Sequence, residues 1–209
     1  AERGARQLVP VVTSDLQGST SLGERLDAES LREVLTRYFD DMRAVLEGYG
    51  GTIEKIIGDA IVAVVGLPEP QPDDPVRAVA AAAATQRALA ELNESLEREW
   101  GVQLTTRTGV ATGDVVLGQA SAGQHVLTGP ALQLATAMEQ NAPGMGVLLH
   151  ASTYTEVQAF VEVRAVEPFV PKGMDEPVEA YELLGVQASA AGLARDDASS
   201  VGPARAADI

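Results

Sequence analysis

Residues 52–65 read TIEKIIGDAIVAVV, two apolar runs separated only by Gly58 and Asp59. Each run has the length of one strand, and a two-residue connection with glycine at its first position is typical of a tight β-hairpin. The pattern therefore predicts antiparallel strands over Thr52–Ile57 and Ala60–Val65. Asp59 is expected at the tip of this hairpin.

A long amphipathic helix is predicted before the hairpin. Apolar residues recur at helical spacing over residues 28–49, and Gly50 and Gly51 supply a stop. A β-branched run, Leu8–Ser14, precedes the helix and ends at Asp15. The order is therefore strand, helix, and then the hairpin.

Helices and strands also alternate after the hairpin. Helices are predicted over Val76–Trp100 and Gly129–Asn141. The further strand candidates are Leu104–Thr112, Val115–Leu117, Val147–His150, Val161–Val166 and Glu179–Leu184. Strands interleaved with helices predict an α/β chain, specifically an α+β sandwich with a largely antiparallel sheet and helices on one face.

The chain has the size of one domain with a tail. It has 209 residues, of which 45% are hydrophobic and 22% charged, and we expect one domain over residues 1–185. Residues 186–209 lack periodicity and are expected to form a flexible C-terminal linker into a further domain. Because the sequence begins with Ala1 and shows no signal-peptide pattern, it is expected to be part of a longer protein.

Composition argues against several classes of function. The chain contains no cysteine, so a disulfide framework and a thiolate metal site are excluded, and the cytoplasm is the expected compartment. No apolar stretch approaches the roughly 18 to 20 residues of a membrane-spanning helix. The formal net charge of -15 opposes binding to nucleic acid or to an anionic membrane surface. Neither is an expected partner.

Two aspartates are candidate metal ligands. Asp15 ends the first predicted strand and Asp59 tips the hairpin, so adjacent strands of one sheet would bring both carboxylates to one rim. Each also has a structural explanation, because Asp15 could cap the turn that contains Ser19 and Thr20, and Asp59 could be an ordinary turn residue. Taken singly, the two residues leave both explanations open.

Two motifs and their spacing resemble the metal-binding motifs of class III adenylate and guanylate cyclases. They are DLQGST at residues 15–20 and EKIIGD at residues 54–59, which place the second aspartate 44 residues after the first. The resemblance extends over residues 8–184 and includes RTGVATGD at residues 107–114 and KGMDEPV at residues 172–178. It implies the class III cyclase fold, with a ferredoxin-like βαββαβ core and a mostly antiparallel sheet covered by helices.

The resemblance also implies a reaction and a metal site. In this family the ribose 3′-oxygen of a nucleoside triphosphate attacks the α-phosphorus, and pyrophosphate leaves. Two Mg²⁺ or Mn²⁺ ions neutralise the phosphates, and carboxylate oxygens suit these cations. By resemblance, Asp15 and Asp59 bridge both ions and the backbone carbonyl of Leu16 adds a ligand.

The same resemblance implies the nucleotide contacts. The β- and γ-phosphates would be held by the backbone amides of Gln17, Gly18, Ser19 and Thr20. Arg107 matches the family's phosphate-binding arginine, although an arginine at a strand end can also be an ordinary surface residue. Lys55 matches the lysine that contacts the purine from the opposite protomer, with ATP expected ahead of GTP. Because each active site of the family spans two protomers, we expect a homodimer or a heterodimer with another cyclase domain.

The second half of the chain departs from the family pattern. The family usually presents an aspartate or threonine for the base, an asparagine seven residues later and an arginine four residues after that. These positions hold Val126, Gln133 and Ala137. Val126 accepts no hydrogen bond from adenine and Ala137 carries no charge, whereas Gln133 keeps an amide on a longer side chain. Because an arginine in such a role is worth roughly 10³ to 10⁵ in rate, efficient catalysis by this chain alone is not expected.

No other residue offers an obvious replacement. Both Arg107 and Lys172 are distant from Ala137 in sequence, and residues 108–163 contain no arginine. His125 and His150 are isolated histidines without a second ligand at a metal-binding spacing. They are therefore assigned structural or surface positions.

Three functions remain open from the sequence. The first is a degenerate cyclase domain, a pseudoenzyme that dimerises, binds metal and nucleotide with little or no turnover, and has a regulatory role. The second is an active adenylate cyclase in which this chain is the metal-bearing half of a heterodimer. The third is slow turnover by a homodimer, which needs water or a mobile side chain in place of the missing arginine.

Overall fold

The computed structural model describes residues 5–119 and 125–192 of the chain. The first four strands are β1 (Ala5–Gln17), β2 (Gly51–Ile57), β3 (Ala60–Val65) and β4 (Thr105–Gln119). The helices between them are α1 (Ser19–Arg25), α2 (Ala28–Gly48) and α3 (Asp74–Trp100). These strands lie in the order β2-β3-β1-β4 with antiparallel neighbours. This arrangement confirms the predicted ferredoxin-like βαββαβ core.

The second half of the chain extends the same sheet. Its strands are β5 (His125–Thr128), β6 (Gly146–His150), β7 (Val161–Ala165) and β8 (Ala180–Val186). Its helices are α4 (Pro130–Asn141), α5 (Ala151–Val157) and α6 (Ala188–Ala191). The order becomes β2-β3-β1-β4-β6-β8-β7, with β5 paired to the end of β4. The pairing of β4 with β6 is parallel and the other strand pairs are antiparallel, so the mostly antiparallel sheet is confirmed.

The hairpin and the long helix form where the sequence predicted them. Gly58 has a φ of 58°, a conformation that glycine adopts without steric cost, and it allows the tight turn from β2 into β3. Helix α2 begins at a side-chain cap, since the carboxylate of Asp27 accepts hydrogen bonds from the amides of Glu29 and Ser30, both at 3.0 Å. Its buried residues recur every four positions and are Val34, Tyr38, Met42 and Leu46.

Helices cover both faces of the sheet, so the expectation of helices on one face was wrong. Successive β1 residues point to opposite sides: Val12 packs in the cluster with α2 and α3, whereas Val11 packs in the cluster with α4. Helix α4 lies directly on β4 because Gly109 has no side chain. A Cβ at Gly109 would collide with the main chain of Ala135 and Glu139.

Several elements differ from the predicted ones. Helices α1 and α5 and strand β5 were not predicted, and β4 is continuous where two strands were expected. Strand β4 extends to Gln119, and residues 120–124 lie outside the described residues. Beyond residue 185, α6 buries Ala190 against the core, whereas residues 193–209 of the predicted linker also lie outside that description. Within the described segments, none of the helices is long and apolar enough to cross a bilayer.

Candidate metal and nucleotide site

Both candidate metal ligands lie at one end of the central strands. Asp15 on β1 has Ala60 of β3 and Arg107 of β4 as its cross-strand neighbours. Asp59 immediately precedes β3, and its backbone carbonyl accepts a hydrogen bond from the Leu16 amide at 3.2 Å. We call the end of β1 together with the β2–β3 turn the aspartate rim. The predicted juxtaposition of Asp15 and Asp59 is therefore present, while metal binding there stays a prediction.

Two side chains at the junction of β1 and α1 contact the carboxylates of the aspartate rim. The amide Nε2 of Gln17 donates to Oδ2 of Asp15 at 3.0 Å. The hydroxyl of Ser19 donates to Oδ2 of Asp59. These bonds restrict the rotation of each carboxylate. Hydrogen bonds from neighbouring groups commonly orient metal ligands in this way.

The pKa of Asp15 reflects its burial and its three polar neighbours. Burial raises the pKa of Asp15, and the nearby charge of Asp59 raises it further, against the opposing effects of Gln17 and Arg107. In the described residues, no three His, Cys, Asp or Glu side chains converge as a metal cluster. A Mg²⁺ or Mn²⁺ ion at the rim would thus depend on two carboxylates, the Leu16 carbonyl and oxygens of a ligand. These oxygen donors fit such ions.

The junction between β1 and α1 contains the four residues assigned to the phosphates. Gly18 has a φ of 73° and stands at the N-cap of α1, where the Leu22 amide donates to its carbonyl at 3.0 Å. Ser19 and Thr20 therefore begin the helix, where main-chain N–H groups precede any intrahelical acceptor. Their predicted contact with phosphates stays a prediction.

Arg107 lies on the face of the sheet that α4 covers. Its Nη1 donates to the carbonyl of Gln140 at 3.1 Å, and its Nη2 lies 3.4 Å from Oε1 of Glu139. Glu139 is only 4% exposed, which is unusual for a carboxylate. Glu139 is not among the site residues predicted from the sequence. The signal was present, because Glu139 stands among the small and apolar residues of α4 that pack on the sheet.

Burial raises the pKa of Glu139 to about 7, and the charge of Asp15 adds to the shift while Arg107 opposes it. The ordinary value is 4.5, so between these pH values the folded chain holds a proton that the unfolded chain releases. The free energy of unfolding must therefore fall as the pH rises through this window. At pH 8, Glu139→Gln is expected to be about 2 kcal/mol more stable than the parent, with allowance for screening by solvent, and at pH 4 about equal.

Urea unfolding at pH 4 and pH 8 measures this difference. Glu156→Gln changes an exposed carboxylate on α5 and serves as the matched control. A stability difference between Glu139→Gln and the parent that is the same at both pH values would contradict the assignment of a raised pKa to Glu139.

The positions that depart from the family pattern are spread over two elements. Val126 lies on β5 opposite Gly118, whereas Gln133 and Ala137 lie on α4. A cavity of about 480 Å³ adjoins α4 and is lined by Gln133, Thr136, Ala137, Gln140, Lys172 and Met174 among others. We call it the α4 cavity.

Lys172 lies nearer to Ala137 than its distance in the sequence suggests. Its distance from Ala137 in sequence suggested that it offers no replacement for the missing arginine, but both residues line the α4 cavity. Of the described residues around this cavity, Lys172 alone carries a charge at neutral pH. A cation is therefore available on this surface, although on a different element from the one that the family uses.

The structure also places Lys55, His125 and His150, which were named from the sequence. Lys55 lies on β2 opposite Val62, next to a register shift in the pairing with β3. His125 begins β5. His150 caps α5, since its Nδ1 accepts a hydrogen bond from the Ser152 amide at 3.1 Å, which agrees with its assignment to a structural position.

Comparisons with known proteins agree with this fold. A family model described as the adenylate and guanylate cyclase catalytic domain matches residues 2–185. Adenylate cyclase 1 of Rhizobium meliloti (strain 1021) is 25% identical over 186 residues, which cover 87% of this chain and 28% of that protein. The chain thus spans less than a third of this relative's length.

Solved structures give the same result. The crystal structure of the adenylyl cyclase CyaB from P. aeruginosa has a TM-score of 0.83 at 28% identity and covers 88% of this chain and 97% of its own. The crystal structure of the guanylyl cyclase Cya2 has a TM-score of 0.80 at 33% identity, with coverages of 89% and 96%. One of these relatives is named for adenine nucleotides and the other for guanine nucleotides.

Proposed function

Because the chain belongs to the adenylate and guanylate cyclase catalytic domain family, we propose that it is a degenerate cyclase domain. In this proposal it is a regulatory or dimerisation module that binds a divalent metal and a nucleoside triphosphate with little or no turnover. One contrast supports it. Asp15 and Asp59 meet at the aspartate rim, whereas Ala137 presents only a methyl group at the position where the family has an arginine.

The metal would be held by Asp15, Asp59 and the Leu16 carbonyl. When bound, it supplies positive charge that neutralises the triphosphate. Gln17 and Ser19 orient the two carboxylates through the hydrogen bonds described above. Without a cation, a triphosphate would meet a rim that already carries two aspartates, so nucleotide binding is expected to require the metal.

The nucleotide would contact three parts of the chain. The amides of residues 17–20 and the guanidinium of Arg107 would hold phosphate oxygens. Lys55 would contact the purine ring bound at the aspartate rim of a second protomer. ATP is the expected nucleotide, although relatives named for either base share this fold.

Little turnover is expected because the groups that act at the transition state are incomplete. Ala137 provides no cation, and an arginine in this role accounts for roughly 10³ to 10⁵ in rate. Lys172 lines the same cavity, but its ammonium is a single point charge without the planar fork of a guanidinium. We therefore expect Lys172 to give at most a small part of this rate.

Calorimetric titration with ATP and GTP, with and without Mn²⁺, tests the proposed binding. Heat of binding is expected with ATP in the presence of Mn²⁺ and not in its absence. If neither nucleotide binds in the presence of Mn²⁺, the proposed nucleotide site is wrong, whereas the family and the fold are unaffected.

A second candidate function is an active adenylate cyclase in which this chain is the metal-bearing half of a heterodimer. One observation favours it: neither aspartate of the rim lines the α4 cavity, where Gln133 and Ala137 lie. One chain can therefore keep the metal half of a composite site while its complementary half degenerates. A partner cyclase domain would then supply the lysine, asparagine and arginine.

We expect a head-to-tail dimer, because Lys55 can contact a purine only at the aspartate rim of another protomer under this proposal. Sedimentation velocity at micromolar concentration, with Mn²⁺ and ATP present, measures the association. A shift toward the dimer on adding nucleotide is the expected result, because a ligand shared between protomers stabilises their assembly. A strict monomer at every concentration would contradict the dimer.

A further inference from the structure

A buried carboxylate lies beside the proposed phosphate-binding arginine. The side chain of Glu139 is 6% exposed, and that of Arg107 is 29% exposed. Glu139 is held there because α4 lies against β4 at Gly109, where the Glu139 amide occupies the space that a Cβ would need. The position of this carboxylate is thus set by backbone packing and not by a flexible loop.

The contacts of Arg107 tie its guanidinium to α4. One terminal nitrogen, Nη1, donates to the Gln140 carbonyl at 3.1 Å, and the other, Nη2, lies 3.4 Å from Oε1 of Glu139. Arg107 is also the cross-strand neighbour of Asp15, so its main chain adjoins the aspartate rim while its guanidinium contacts α4. Each residue of this pair has one buried polar atom that makes no hydrogen bond among the described residues. These atoms are Nε of Arg107 and Oε1 of Glu139.

We propose that Glu139 is a positioning residue, which fixes the Arg107 guanidinium so that it can bind phosphate oxygens of a nucleotide at the aspartate rim. This proposal rests on the proposed nucleotide binding and names a residue that acts through Arg107. A long arginine side chain loses conformational entropy when it binds an anion, and a guanidinium held in advance loses less. Glu139 and the Gln140 carbonyl provide that restraint from α4.

A purely structural role explains Glu139 poorly. Burial raises the pKa of Glu139 to about 7, with Asp15 raising it and Arg107 lowering it among the charged groups nearby. A carboxylate whose charged form is disfavoured by burial lowers the stability of the folded chain at neutral pH. If Glu139 had a structural role, Glu139→Gln would lose stability. A positioning role predicts weaker phosphate binding without that loss.

A double-mutant cycle on Glu139 and Arg107 tests the proposal by calorimetry with Mn²⁺ and ATP. Arg107→Ala is expected to weaken binding to the parent by about tenfold or more, and Glu139→Gln to weaken it by about tenfold. In the Glu139→Gln background, Arg107→Ala should weaken binding by less than about threefold, because its contribution depends on Glu139. The thermal midpoint of Glu139→Gln should not fall below that of the parent.

Two further variants make the result specific. Glu182→Gln removes the carboxylate of another arginine pair, that with Arg164 on β7, and should leave the affinity for Mn²⁺ with ATP unchanged. Arg107→Lys keeps the charge but cannot contact Glu139, the Gln140 carbonyl and a phosphate with one planar group, so it should bind nearly as weakly as Arg107→Ala. Nucleotide binding by Arg107→Lys that equals the parent's would overturn the proposal.

The cycle also separates this proposal from the proposed function. If the parent binds no nucleotide with Mn²⁺, the proposed function itself fails. If the parent binds, but the effect of Arg107→Ala is the same within about twofold whether residue 139 is Glu or Gln, the positioning role of Glu139 is wrong and the nucleotide site stands. Tighter binding by Glu139→Gln would likewise overturn the positioning role.

Discussion

Alanine at both Asp15 and Asp59 is expected to abolish metal-dependent nucleotide binding. The two side chains provide the anionic oxygens of the aspartate rim, and no three-residue metal cluster occurs in the described part of the chain to replace them. Substituting a residue that only hydrogen-bonds a metal ligand often lowers metal affinity 10- to 100-fold. Loss of both ligands should therefore weaken the binding of Mn²⁺ with ATP by at least about 100-fold. Calorimetric titration measures this change.

The fold is expected to survive this double substitution. Burial and the Asp59 charge raise the pKa of Asp15, so its carboxylate is not a source of stability at neutral pH. Asp40 and Asp41 are adjacent, exposed aspartates on α2, and their double alanine variant removes the same charge as a matched control. If the Asp15 and Asp59 double variant binds Mn²⁺ with ATP as tightly as this control does, the metal assignment is wrong.

The triple variant Val126→Asp, Gln133→Asn and Ala137→Arg is expected to form cyclic nucleotide from ATP on the existing aspartate rim. The arginine should matter most, because it adds charge where charge develops during phosphoryl transfer, whereas Gln133→Asn only shortens a neutral side chain. Residues that act as one unit are strongly non-additive. Single substitutions are therefore expected to show little activity, and the gain should appear in the triple variant.

The α4 cavity gives the new arginine room. Ala137 is 5% exposed and packs in a buried cluster with Met138 and Leu148, but it also lines this cavity of about 480 Å³, and we expect a longer side chain to extend into the cavity. Lys172 lines the same cavity and would repel the new arginine. Because this repulsion raises the energy of the unliganded arginine, we expect it to favour binding of the arginine to an anionic phosphate. The structure therefore supplies space for the substitution that the sequence could not reveal.

Product from the triple variant should depend on the aspartate rim. Adding Asp59→Ala to the triple variant is the control, and it should return product formation to background. A triple variant that folds and binds nucleotide but forms no product would contradict this prediction and would show that other determinants of catalysis have also changed.

Local features of the fold were predictable because they are encoded by neighbouring residues. The GD turn between two apolar runs specifies the β2–β3 hairpin, and the spacing of buried residues specifies α2. The aspartate rim followed from the same elements, since Asp15 ends one strand and Asp59 precedes another. Spacing in the sequence was sufficient for this half of the candidate site.

The other half depends on packing between distant segments. Helix α4 is rich in small residues, which do not indicate the face of the sheet that it covers, and its position depends on close approach to Gly109. The burial of Glu139 and the presence of Lys172 and Ala137 around one cavity depend on how such segments pack. Neither could be predicted from hydrophobic periodicity, which reports one element at a time.

Formation of cyclic nucleotide by the unmodified chain is the most direct test of a degenerate cyclase domain. The purified chain, at a concentration where calorimetry shows that it binds Mn²⁺ with ATP, is incubated with the same ligands, and the cyclic product is quantified against an Asp59→Ala control. Our account predicts nucleotide binding with no product, or only a trace, above this control. Sustained formation of cyclic AMP that is lost with Asp59→Ala would contradict it.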